Sequence, residues 1–191
     1  MSVEIVDKWH VLDASKLPAC RFIHSTREEL RLCIAEMEGI SRALFLFWSI
    51  AASLDEDLMT RNPEVTYLLD GYCTKHAAAE IVYGAPREWI VATTALLPKP
   101  DVTIFLDVGI DVAVERKAGL FSPYECGRDM RCGVAAYRQH QSRLREELID
   151  LGSSEDWHVI DASQSAELVH EQVKQVIAHH IRVSVPDGAR V

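Results

Sequence analysis

The chain has no long apolar run. Its most hydrophobic stretch, ALFLFWSIAASL (Ala43 to Leu54), is well short of the ~20 residues that a membrane-spanning helix needs, so no membrane association is expected. Basic charge is not in excess either: 20 Lys and Arg stand against 29 Asp and Glu, a formal charge of −9. That balance excludes a broad electrostatic binder of nucleic-acid polymers, but it is compatible with a small cationic pocket for one phosphate. The five cysteines form no C-x-x-C pair and show no zinc-like spacing with histidine. The opening MSVEIVDKWH lacks the apolar run of a signal peptide. A cytoplasmic setting with reduced thiols is therefore expected, with Cys126 and Cys132 read as passive thiols.

What is present reads as alternating strands and helices. Lys8 to Asp13 (KWHVLD), Val65 to Asp70 (VTYLLD), Asp101 to Val108 (DVTIFLDV) and WHVID at Trp157 to Asp161 are short apolar runs ending in turn-prone residues, the pattern of strands. The middle two predict strands buried on both faces. Helices are predicted over Ser25 to Glu38, Arg42 to Met59, Lys75 to Tyr83, Pro86 to Leu97, a segment opened by Asp111, Ala135 to Leu151, and Ala166 to Ile181. Ser25 or Thr26 can cap the first of these, with Glu28 and Glu29 placed favourably at its positive end. Residues 119–133 read as a mobile loop with short helical pieces. Buried strands that alternate with helices imply an α/β fold, a parallel sheet flanked by helices in three layers. No linker interrupts the chain, so residues 1–191 are expected to form a single domain.

In open parallel α/β sheets, ligands sit beyond the carboxyl ends of the strands. Those ends carry Asp70-Gly71-Tyr72, Asp107 and Asp161-Ala162-Ser163. Carboxylates placed there suit an Mg²⁺-nucleotide site, since magnesium bridged to phosphates needs hard oxygen ligands; Asp is also a frequent turn former after strands. The stretch ERKAGLFSPYECGR brings Arg116, Lys117 and Arg128 into one flexible segment. Such a loop can close cations over transferring phosphates and exclude water, and the same composition also suits a solvated basic loop.

Several of these motifs, in this order, resemble thymidylate kinase-like nucleoside monophosphate kinases. LLPKPDVTIFLDVGIDVAVERK resembles the family's strand and acidic-capped helix ending in a lid arginine, and SPYECG resembles its lid motif. WHVIDASQSAELVHEQV resembles the last strand, adenine-contacting turn and final helix, YLLDGYCTKHAAAE the Asp-Arg-Tyr region, and ALFLFWSIAASLDEDL the helix bearing a base-stacking Phe. The resemblance spans roughly residues 20–181 and implies a P-loop NTP hydrolase-like fold of the nucleoside monophosphate kinase type. It also implies transfer of the γ-phosphoryl of ATP, with Mg²⁺, to a nucleoside monophosphate such as dTMP. Carried over, Phe47 would stack on the acceptor base, while Gly71, Tyr72, Lys75 and Tyr124 would form the acceptor site. Asp70 would serve the metal-phosphate region, Arg116 and Lys117 would be the catalytic cations, and Ala162 and Ser163 would border the donor adenine. A cytoplasmic homodimer is the assembly that the resemblance implies.

The departures are specific. No G-x-x-x-x-G-K-[ST] motif occurs in the chain, so the backbone cradle and lysine that hold donor phosphates are missing from it. The Arg of Asp-Arg-Tyr is Gly71, and the helix position four residues after Phe47 holds Ala51; Lys75 and His76 are the cations close by. WHVLDAS (Trp9 to Ser15) matches WHVIDAS (Trp157 to Ser163) in six of seven residues. The likeness does not extend further, so it reads as two strands of one sheet rather than a duplication. With WHVLD as the family's second strand, the first strand and its phosphate loop are expected ahead of Met1, or replaced by a re-used N-terminal strand or by a second chain. Where those parts are missing, the expectation is weak turnover, and the alternative reading is a non-catalytic nucleotide-binding or partner-binding relative.

Overall fold

The computed structural model describes residues 2–7, 9, 13, 26–54, 65–153 and 155–184. It is mixed α/β and mostly helical, with short parallel strand pairs. The described residues fall into two compact units, one built from residues 1–99 and 121–151, the other from 100–120 and 152–191.

The first unit contains strands β1 (Ser2–Val6) and β2 (Val65–Leu69), which pair in parallel with Ile5 opposite Leu68. The sequence reading did not include β1; the strand it expected at Lys8 to Asp13 lies mostly outside the described residues. The Asp7 carboxylate accepts the Trp9 N–H at 3.0 Å, an Asx turn that ends the strand at Val6. Trp9 lies in a 3-10 turn, and Lys8 and His10 to Leu12 lie outside the described residues. The expected burial of VTYLLD on both faces is corrected: Leu68 is 52% exposed, as is its partner Ile5 at 61%, so the face that carries them is not buried.

Helix α1 (Arg27–Glu36) begins in a capping box. Thr26 Oγ1 accepts from the Glu29 N–H at 3.2 Å, and Glu29 Oε2 accepts from the Thr26 N–H at 3.0 Å, so two orphan donors are satisfied reciprocally. Its Leu30 and Ile34 meet Leu46 of α2 (Gly39–Ser53) in one apolar cluster. Helix α2 starts three residues before the predicted Arg42 and ends at Ser53; residues 55–59 of that prediction lie outside the described residues. The other side of α2 buries Ala43, Phe47 and Ile50 against Cys73 and Ala77 of α3 (Cys73–Val82) and Ile90 of α4 (Arg87–Thr94). The spacing i, i+4, i+7 makes this stripe, and the alanines of α3 let the two helices approach. Two buried hydroxyls on α2 are satisfied by its own carbonyls, Ser49 donating to Leu46 at 2.9 Å and Ser53 to Ser49 at 2.7 Å.

One buried ion pair joins the same two helices. Arg42 of α2 and Glu80 of α3 are each 2% exposed, with Nη1 and Oε1 3.3 Å apart. The Arg42 guanidinium also lies 4.3 Å from the centre of the Tyr83 ring, a cation–π contact in a dry setting. Burial pushes the Glu80 carboxyl above its ordinary range, an effect that Arg42 and Arg128 oppose. The pair therefore adds little net stability while remaining costly to break.

Residues 121–133 then cross this unit. A 3-10 turn (Pro123–Glu125) carries its own capping box through Ser122 and Glu125. The expectation of reduced, passive thiols here is overturned: Cys126 and Cys132 form a disulfide, their Cα atoms 5.5 Å apart. Loop geometry decides this, because the turn brings together two cysteines whose sequence spacing carries no recognised pairing signal. Helix α6 (Val134–Gly152) buries Tyr137, His140 and Leu144, while Leu148 and Leu151 are half-buried. Arg87 on α4 forms ion pairs with Glu147 and Asp150 of α6.

The second unit holds β3 (Thr103–Asp107) and β4 (Trp157–Asp161), parallel, with Asp107 opposite Asp161. Helices α5 (Ile110–Lys117) and α7 (Ala166–Ser184) belong with it. Here too the prediction of strands buried on both faces is corrected, since Leu106 is 48% and Val159 63% exposed. Asp111 lies in the first turn of α5, behind Gly109 as N-cap, with no side-chain cap. Gly152 is required by packing: a Cβ there would meet the Trp157 ring at 2.5 Å.

Two outcomes follow for the first unit. Glu80→Ala strands the buried Arg42 charge and should cost about 3–5 kcal/mol, whereas Arg42→Met with Glu80→Leu should be near neutral; urea unfolding of the three variants measures both. The second outcome concerns pH. Burial first, then Arg42 and Arg143, push the His140 imidazole down to about 4. The unfolded chain takes up that proton near the ordinary histidine value of ~6.5. His140 therefore contributes stability that is fully present above about pH 6.5 and falls by about 1.4 kcal/mol per unit as pH drops toward 4. His140→Phe should flatten the urea midpoint between pH 7 and pH 5.

Candidate functional site

The carboxyl end of β2 opens onto a cleft lined by Ile50, Ser53, Leu54, Leu69, Asp70, Tyr72 and His76. Asp70 is the first residue beyond the strand and is exposed at the rim. Gly71 then reverses the chain at φ +63°, where L side chains are strained, and the Lys75 Cδ lies only 3.1 Å from where a Cβ would stand. The stem of Lys75 thus covers Gly71, with its Nζ 3.9 Å from that point. A cation from the next helical turn sits where a side chain at position 71 would begin.

Tyr72 contributes its ring to the cleft wall, and its hydroxyl donates to the Pro98 carbonyl at 3.1 Å. Burial raises the phenol far above its ordinary range, so it stays neutral. His76, 3% exposed, faces two ways. It lines the cleft, and its Nδ1 lies 3.4 Å from the Tyr124 hydroxyl. Tyr124 is seated between α1 and α2, with the Arg31 guanidinium 5.3 Å and the Arg42 guanidinium 6.0 Å from its ring. Burial pushes its phenol up to about 12.

The first unit therefore brings Asp70, Gly71, Tyr72 and Lys75 to one strand end and reaches Tyr124 through His76. Phe47 is placed differently. It is 5% exposed and packs among Ala43, Ile50, Cys73, Ala77 and Ile90, behind the cleft wall rather than in it. Ala51, four residues on, is exposed. The sequence reading used His76 only as a charge and did not single out Ser53 or Leu54. Their signal was faint, since Ser53 and Leu54 read simply as the end of an apolar helix.

The second unit brings three of the remaining residues together. Beyond β4, the Ala162 N–H donates to the Asp107 carbonyl at 2.7 Å and prolongs the ladder. The Ser163 N–H and Oγ–H both donate to Asp161 Oδ1, at 2.9 and 2.6 Å, which holds that carboxyl below its ordinary range. Arg116 donates to the carbonyls of Ala162 at 2.6 Å, Ser163 at 3.1 Å and Gln164 at 2.9 Å. In this structure Arg116 braces the Asp-Ala-Ser turn. Lys117, the next residue, is half-buried at the last turn of α5, where a cation complements the helix dipole.

Among the described residues no cluster of three or more His, Cys, Asp or Glu could hold a metal ion. Asp70 nevertheless suits magnesium, which takes one or two carboxylates, several waters and substrate phosphate oxygens rather than an all-protein cage. Also among the described residues, no helix is long and apolar enough to cross a membrane.

No family model matches the chain. Individual curated proteins do. A probable thymidylate kinase of Methanothermobacter thermautotrophicus is 24% identical over 107 residues, 55% of this chain and 48% of that protein. The thymidylate kinase of Caenorhabditis elegans is 35% identical over 84 residues, 42% of this chain and 38% of its own. That of Danio rerio is 33% identical over 93 residues, 49% and 40% respectively. The chain spans about half the length of the curated relatives it matches. By these matches, and over the stretch they cover, the chain is thymidylate kinase-like.

Proposed function

We propose that this chain is a thymidylate kinase-like phosphotransferase that binds a nucleoside monophosphate, dTMP or a close analogue, in the cleft beyond β2. The observation that carries this reading is the grouping of Asp70, Tyr72 and His76 at a strand's carboxyl end, walled by α2, with Lys75 beside Gly71. The apolar side chains of Ile50, Leu54 and Leu69 and the Tyr72 ring, with one carboxylate and a nearby ammonium, suit a base and its phosphate. The fold that goes with this reading is the three-layer nucleoside monophosphate kinase type. The kinship to thymidylate kinases supports both.

In this reading Asp70 would hold Mg²⁺, which when bound would supply charge neutralisation at phosphate oxygens. Lys75 steadies the acceptor phosphate, Tyr72 gives the cleft a neutral wall, and Tyr124 follows the state of the cleft through His76. Phe47 supports the wall from behind and takes part in base stacking only if Ile50 and its neighbours shift. In the second unit, the turn at Ala162 and Ser163, braced by Arg116, is the edge for the adenine of ATP. Lys117 and, once released from the turn, Arg116 are the cations for the transferring phosphoryl group. A cytoplasmic location belongs to the same reading.

A second reading, a nucleotide-binding relative without turnover, is favoured by one observation, the lack of a G-x-x-x-x-G-K-[ST] motif in the chain. Binding is common to both readings and turnover separates them. Calorimetric titration with a panel of nucleoside monophosphates should therefore give saturable binding that Asp70→Asn weakens only when Mg²⁺ is present. Lys75→Met should weaken monophosphates but not nucleosides. Failure of every monophosphate to bind would exclude both readings. ADP production from ATP and dTMP should be slow, since each missing phosphate donor removes about 3–4 kcal/mol of transition-state stabilisation. Rapid Mg²⁺-dependent turnover would exclude the second reading.

A homodimer is part of the proposal. Ile40, Leu44 and Trp48 form an i, i+4, i+8 stripe on α2 and are 61%, 49% and 38% exposed, an apolar face that a second copy would cover. Light scattering behind size exclusion should give a dimer mass, and Leu44→Asp should give the monomer with its folding midpoint retained at high concentration. A monomeric wild-type chain would remove this part of the reading.

A further inference from the structure

We infer that the Cys126–Cys132 disulfide is a reversible thiol–disulfide exchange site that keeps residues 121–133 docked on the first unit. A dithiol reductant is the class of reactant that it takes. This goes beyond nucleotide binding and does not depend on it.

The loop that the disulfide closes is held in a backbone conformation that its residues disfavour. Gly127, Arg128 and Cys132 all have positive φ, at +68°, +69° and +30°. Two of the three are not glycine, and such residues persist in that region only when their surroundings over-determine them. The bond between positions 126 and 132 is such a constraint, since it spans the strained residues themselves. The contacts that dock the loop come from within the crosslink, at Arg128, and from just ahead of it, at Tyr124 and Glu125. Arg128 donates to the Met37 carbonyl at 2.7 Å and lies 4.8 Å from the Tyr83 ring centre. Gln141 donates to the Glu125 carbonyl at 2.8 Å. Tyr124 occupies its seat against Arg31 and His76. Opening the crosslink lets Arg128 and Cys132 return to negative φ, and that rotation carries the Arg128 side chain away from Met37 and Tyr83.

The two sulfurs are unequal. Cys126 is 3% exposed, whereas Cys132 is half-buried and is the one that an external thiolate can reach. In the exchange, one sulfur of the dithiol attacks the Cys132 Sγ, forming a mixed disulfide as the protein S–S bond breaks. Cys126 leaves as a thiolate and takes a proton from solvent. The second dithiol sulfur then attacks the first, releasing the Cys132 thiol and a cyclic disulfide. Two electrons and two protons pass from the reductant to the protein, and an oxidised disulfide of the same class reverses the step.

The test uses the intact chain. Oxidised glutathione treatment followed by denatured alkylation should leave Cys126 and Cys132 unlabelled, and dithiothreitol should make both label. Amide hydrogen exchange across 121–133 should be several-fold faster in the reduced chain, while peptides of α3 and α4 exchange equally in both states. The Cys126→Ser/Cys132→Ser double variant should exchange like the reduced chain and ignore dithiothreitol. Equal exchange in the oxidised and reduced wild type, or persistent labelling of both cysteines after oxidation, would overturn the inference. Acceleration throughout α3 and α4 as well would also overturn it, because the bond would then hold the whole unit rather than the loop.

Discussion

The first unit is organised around one buried charge. Arg42 is carried inward on an otherwise apolar stripe of α2 and cannot be neutralised by losing its proton. Glu80 on α3 supplies the counter-charge, but at 3.3 Å and without an aligned hydrogen bond, since Arg42 Nη1 and Nε and Glu80 Oε1 have no such partner. Aromatic faces complete the solvation: Tyr83 and, more distantly, Tyr124 present π surfaces to the guanidinium. Several further features follow from this. His140, stacked on Tyr83 and hydrogen-bonded to its hydroxyl at 3.3 Å, is kept neutral first by burial and then by the nearby Arg42 and Arg143 charges. Glu80 is drawn two ways, toward protonation by burial and toward charge by its arginines.

The same constraint positions the cleft. Arg42 and Glu80 pair across α2 and α3 beside their apolar contact, and the cleft walls are the later residues Ile50 and Ser53 of α2, with Leu54 just after it, and the turn of α3 at His76. The loop of residues 121–133 is fastened to this cluster by Tyr124 and Arg128, so cleft, loop and ion pair share one set of aromatic and cationic contacts. The second unit achieves local order by simpler means. There Arg116 is satisfied by three backbone carbonyls and needs no buried counter-ion, and the Asp161 turn is held chiefly by hydrogen bonds.

Much of this was legible in the residues. The capping box at Thr26, the strand at VTYLLD with Asp70 at its end, the strands at TIFLD and WHVID, and most helices follow from local periodicity and cap chemistry, which act over a few residues. The Asp70-Gly71-Tyr72 corner was legible because strand ends are where open sheets present ligand groups. Less legible were features set by neighbours distant in sequence. Arg42 reads as a surface residue on a helix, and only the arrival of Glu80, Tyr83 and Tyr124 makes it internal. Phe47, an aromatic at helical spacing, reads as core from the residues and as a base-stacking ring only by the resemblance, and it packs against Ile90 in the core. The strand at Ser2–Val6 was not read from the sequence, because its alternation is short, and most of the strand expected at Lys8 to Asp13 lies outside the described residues.

By itself, then, the sequence determined the element types, the acidic strand ends and the kinship with thymidylate kinases, because each rests on residues close together in the chain. Tertiary structure decided which charges are buried, that Lys75 covers Gly71, that Arg116 is occupied by the Ala162–Gln164 carbonyls, and that Cys126 meets Cys132. Desolvation and close approach depend on which segments pack together, and no local pattern encodes that.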